Sequence, residues 1–92
     1  MDSTRIVVTV LGADRSGIVA AVATKLSEND ANILDISQTI LDGVFTMSMI
    51  VDLNEHETSF DTLRQALLSL QEQLGVQVQV QREDVFKFMY RI

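Results

Sequence analysis

Cysteine, proline and tryptophan are all absent from this chain of 92 residues, and histidine occurs once, at His56. Without cysteine there is no disulfide, no thiol nucleophile and no thiolate metal ligand. The single imidazole stands between Glu55 and Glu57 with no second histidine at zinc-type spacing, so it reads as surface loop and no metal site is expected. No Ser, His and Asp stand at a spacing that supports a catalytic triad. Nor is there a basic stripe. The seven Lys and Arg (Arg5, Arg15, Lys25, Arg64, Arg82, Lys87, Arg91) are scattered against a net charge of −6, which argues against direct nucleic-acid binding. No apolar run approaches the roughly 18 residues of a membrane span, and Met1 to Arg5 lack the charged-then-apolar shape of a signal peptide. A cytoplasmic protein without membrane contact is expected. With no proline, low-complexity tract or linker-like stretch, residues 1–92 are expected to form one domain around one core.

What is present is strong patterning. Arg5–Leu11 is a β-branched run with the composition of a buried strand. Ile18, Val19, Val22, Ala23 and Leu26 then recur at helical spacing, predicting a helix over about Gly17–Asn29, with Ser16 and Asp14 as candidate N-caps. A second strand over Ile33–Leu41 is expected to turn Leu34, Ile36, Gln38 and Ile40 one way and Ile33, Asp35, Ser37, Thr39 and Leu41 the other. Asp42-Gly43 is a hairpin signal, since a type I′ turn needs φ > 0 at both central residues. The third strand, Val44–Leu53, places Phe45, Met47, Met49 and Val51 on one face, where the methionines are most simply core. Thr58 and Asp61 resemble a capping box for a helix over about Ser59–Leu74, striped by Phe60, Leu63, Leu67, Leu70 and Leu74, with Gly75 as its C′ residue. Val76–Gln81 alternates without exception, a strand with one buried and one wet face. The order β-α-β-β-α-β predicts an α+β, ferredoxin-like sandwich: a four-stranded antiparallel sheet with two helices on one face. The core spans 5–81, and a short C-terminal helix covers 83–92.

The segment with most chemical content is Leu11 to Val19, a two-glycine turn from strand to helix. Such a turn aims free backbone N–H groups and a positive helix end at one point, which suits a carboxylate or phosphate. Gly12 and Gly17 have the spacing of a nucleotide P-loop, but Ile18 and Val19 stand where Lys and Ser/Thr are required. Asp14 would repel a polyanion yet tolerate a ligand with an ammonium beside its carboxylate, as in an amino acid. The plainer alternative is that the glycines make a tight turn and Asp14 or Ser16 caps the helix.

The C-terminal helix poses a different question. Val85, Phe86, Phe88, Met89, Tyr90 and Ile92 surround it with apolar surface, whereas the last helix of a monomer needs one apolar side. It either folds over the open face of its own sheet or makes a dimer contact; all-round apolarity favours the dimer.

The runs Gly12–Val22, Asn32–Gln38 and Phe45-Thr46-Met47 resemble the ACT domain, over about Arg5–Gln81. The likeness extends to small standalone ACT proteins, and to the ACT modules of formyltetrahydrofolate deformylase and the glycine-cleavage transcriptional regulator. The resemblance implies a non-catalytic regulatory module that binds a small ligand, often an amino acid, at a homodimer interface. By matching position, the ligand would lie between Asp14, Arg15, Ser16, Gly17 and Ile18 of one subunit and Asn32, Ile33 and Leu34 of the other. The amide of Asn32 can donate to a carboxylate and accept from an ammonium. Asp14-Arg15 departs from the polar turn residues of better-studied members. No cofactor is implied, and a regulated protein partner would be of unknown identity. Two alternatives belong to other classes. One is an acylphosphatase-like hydrolase using Arg15 and Asn54, though the loop pattern of that family is absent and Asp14 would oppose a phosphate. The other is an interaction module without a small ligand.

Overall fold

The computed structural model describes residues 3–13 and 16–89. Its elements in chain order are β1 (Ser3–Ala13), α1 (Ile18–Glu28), β2 (Ala31–Leu41), β3 (Val44–Asn54), α2 (Phe60–Leu68), α3 (Leu70–Leu74), β4 (Val76–Arg82) and α4 (Glu83–Met89). The strands form one antiparallel sheet in the order β2-β3-β1-β4. The predicted ferredoxin-like sandwich is the observed fold.

The core follows from the strand and helix periods. Ile6, Val8 and Val10 of β1, Phe45 to Leu53 at alternate positions of β3, and Val76, Val78 and Val80 of β4 share one buried cluster. Against them lie Ile18, Val22 and Leu26 of α1 with Leu63, Leu67 and Leu70 of α2 and α3. Val7 is also buried, at 5% exposure, but it stands outside that cluster, as its odd position on β1 requires. It therefore faces the other side of the sheet, where α4 lies against β1 and β4. Arg5, on the same face as Val7, pairs with Glu83 at the start of α4 at 3.8 Å.

Asp42 and Gly43 both have positive φ, 52° and 81°, as a type I′ turn demands. Gly75 ends α3 in the left-handed region at φ 67° and bonds back to the carbonyl of Gln71.

Four local expectations need correction. The N-cap of α1 is Gly17, at φ 89°, in place of Ser16; Asp14 lies outside the described residues. Gly12 is a strand residue, not a turn residue, and its missing side chain answers to β4. At the start of α2 the cap is Ser59, whose Oγ accepts from the Thr62 amide, while Thr58 donates to Asp30 in the α1–β2 turn. The single predicted helix over Ser59–Leu74 divides at Ser69, whose hydroxyl donates to the carbonyl of Ala66 at 2.6 Å.

The faces of β2 are also rearranged. A β-bulge lies between Ile33 and Asp35, so Leu34 has no partner on β3. Ile33 pairs with Val51 and Ile36 with Met49, both on the helix-facing side. The expected alternation puts Ile33 and Ile36 on opposite faces; the extra residue returns them to the same one.

Candidate functional site

The β1–α1 turn sits at the end of the sheet where Ala13 pairs with Val44. Ser16 and Gly17 are exposed there, and Ile18 is 1% exposed, anchoring the first turn of α1 in the core. A Cβ placed on Gly17 would meet nothing within 4 Å, so the glycine answers to backbone conformation and open approach, not to crowding. As N-cap it offers no side chain to the first-turn amides, the donors that lack a partner within the helix. The carbonyl of Gly17 accepts from Ala21 at 2.9 Å and closes the first turn. The result is an open, donor-rich helix start. Asp14 and Arg15 lie outside the described residues.

The second set of predicted residues lies elsewhere. Asn32 is exposed and pairs with Asp52; Ile33 is half-buried and packs against the core; Leu34, at the bulge, is 44% exposed. Asp52 and Val44 are separated by most of the length of β3, roughly 27 Å at about 3.4 Å per residue. Within one chain the turn and the start of β2 are thus at opposite ends of the sheet. The same geometry bears on Asn54. Asn54 pairs with Ser3, at the far end of β1 from the turn, and its Oδ1 accepts from the His56 amide. Arg15, the other residue that an acylphosphatase-like reaction would need, lies outside the described residues.

Near Asn32, the sheet end is tied by a polar network. Glu55 accepts from Thr4 and from Arg82, the latter at 3.1 Å, and the Arg82 guanidinium stands 4.6 Å from the Phe60 ring centre. The Thr4 and Arg82 hydrogen bonds hold the Glu55 carboxyl below the usual carboxylate range.

Sequence reasoning missed the bulge and with it Asp35. A hollow of about 130 Å³ beside the bulge is lined by Asp35, Ile36, Ser37, Ser48, Met49 and Ile50. The available signal was that Asp35 is the one charged residue of β2. Among the described residues no helix is long and apolar enough to cross a membrane.

The model of the ACT domain matches residues 4–81, nearly the whole sandwich. The chain belongs to the ACT domain family. This ACT domain is 56% identical over 88 residues to a UPF0237 protein of Methanocaldococcus jannaschii, covering 96% of this chain and 98% of that one. Among solved structures, an ACT domain protein from Streptococcus pneumoniae superposes with a TM-score of 0.78 at 40% identity, over 95% of this chain and 98% of its own. A putative glycine cleavage system transcriptional repressor shares the fold, with a TM-score of 0.78 at 22% identity, over 87% of this chain and 46% of that one.

Proposed function

We propose that this ACT domain is a non-catalytic regulatory module that senses a small amino acid, and that two copies of the chain together make its binding site. What supports this is the separation of the two half-sites within one chain. An antiparallel, two-fold pairing of β2 edges would set the start of one β2 beside the hairpin end of the other. Asn32 of each copy would then approach the Gly17 turn of its partner. The carboxylate would take the first-turn amides of α1, and the Asn32 amide would bridge carboxylate and ammonium. A ligand held by both chains binds only the dimer, so it shifts association in proportion to its occupancy.

Complementation tests this directly. Gly17→Val and Asn32→Ala chains, each measured alone by calorimetry against the twenty amino acids, should bind weakly or not at all. Loss at Asn32→Ala should amount to about 1–3 kcal/mol, the scale of a hydrogen bond to a charged group. Mixing the two variants creates dimers with one intact site and one doubly altered site, and should restore part of the binding. If no binding returns on mixing, the site is not shared between chains. If wild type binds no amino acid, the sensing role fails.

A further inference from the structure

The two edges of the sheet are closed in different ways. In an antiparallel sheet, alternate residues of an edge strand turn their N–H and C=O outward. On β4 the amide of Val78 is turned out, and Gln71 of α3 takes it with Oε1 at 2.9 Å. On β2 the amide of Ile36 is turned out, and its acceptor is the neighbouring carboxylate of Asp35, also at 2.9 Å. The register agrees, because Ile36, Met49, Val8 and Val80 form one row, with Val80 in phase with Val78. Every β2 residue from Leu34 to Leu41 is exposed, including Ile36, Ile40 and Leu41 at 39%, 59% and 74%. A long apolar edge of this kind invites another strand, and a charge upon it is the usual restraint.

We propose that Asp35 is a latch on the β2 edge that sets how readily a second copy of this chain pairs there. This rests on the β2-paired dimer proposed above. An incoming strand must offer a carbonyl to the Ile36 amide, which the Asp35 carboxylate already holds by a charge-assisted bond. Once displaced, the carboxylate lies beside the incoming carbonyl oxygen, two acceptors with no donor between them. The two-fold symmetry of the pair imposes this cost in both copies. Pairing is thereby kept near balance, where a bound ligand can move the equilibrium.

Sedimentation equilibrium of wild type, Asp35→Ala and Asp35→Asn reads the latch, with Gln38→Pro introduced into each. Gln38 is in phase with Ile36, so its amide also points outward and proline there blocks edge pairing without removing a bond to β3. Both Asp35 variants should associate roughly tenfold more tightly than wild type, and Gln38→Pro should return all three to monomers. Equal association constants, still abolished by Gln38→Pro, overturn the latch and leave the β2 dimer standing. Association that survives Gln38→Pro, or no association in any chain, overturns both.

Discussion

A Cβ placed on Gly12 would stand 2.7 Å from Cγ1 of Val76 and 3.2 Å from its Cα. Gly12 and Val76 are paired across the β1–β4 ladder, so this contact fixes how closely β4 approaches the strand that leads into the turn. Backbone on one side of the contact cannot swing away as a flexible side chain would. Gly12→Val should therefore destabilise the domain by about 1–3 kcal/mol, the range of overpacking. Thermal denaturation checks it; an unchanged midpoint would show that β4 yields freely at Val76.

Gly17 is constrained for the opposite reason. Space around it is open, but φ is 89°, a conformation that a β-branched residue resists. Gly17→Val should cost a moderate amount of stability, on the order of 1–3 kcal/mol, and should abolish the amino-acid response of the thermal midpoint. Equal stabilisation of wild type and variant by the same amino acid would remove the turn from the site.

Ending the chain after Glu83 removes most of α4. Its outward side, Val85, Phe88 and Met89, is 46%, 76% and 55% exposed, while its inward side covers the part of the sheet that holds Val7. The helix thus folds over its own sheet and still leaves an apolar surface for another molecule; Tyr90 and Ile92 lie outside the described residues. Uncovering Val7 alone should cost about 1.5–3 kcal/mol, so the truncated chain should melt lower. If α4 also carries the dimer contact, truncation gives a monomer or an aggregating species by analytical ultracentrifugation. A truncated chain that stays dimeric at micromolar concentration assigns α4 to covering its own sheet.

Glu55 gives the domain an acid-sensitive tie. Its carboxyl is lowered in the folded state by Thr4 and Arg82, so the folded protein binds fewer protons there than the unfolded chain. That contribution is complete above the ordinary carboxylate range and is lost as pH falls through the lowered value of Glu55. Glu55→Gln should flatten this limb of the stability curve. Parallel curves for variant and wild type between pH 3 and 6, an interval spanning about a unit or more around a carboxylate, would show that the network is not coupled to folding.

Residue patterning alone determined the element order, the hairpin and the core. Val76–Gln81 alternates so strictly that only a strand with one buried face accommodates it, and the leucine stripe of α2 and α3 has no other place to go than the sheet. Asp42-Gly43 and Gly75 required left-handed backbone that few other residues accept, so their turns were legible from two or three letters. The β1–α1 turn was legible for the same reason at Gly17. Its other glycine was misread, because the need for Gly12 arises from Val76, 64 residues away by their numbers, and such a contact has no local signature.

Only the tertiary structure decided the rest. Ile33-Leu34-Asp35-Ile36 reads as a regular strand, yet both isoleucines must reach the helix-facing side, and the chain inserts Leu34 to let them. The place of Asn32 relative to the Gly17 turn was beyond any local pattern. Sequence order separates them by one helix; the antiparallel register of β2 on β3 carries them to opposite ends of the sheet. Local preferences fix which residues bend, pair or hide, since those are properties of a few neighbouring atoms. Which end of the sheet a residue reaches is settled by strand register, a sum over contacts between segments far apart in the chain.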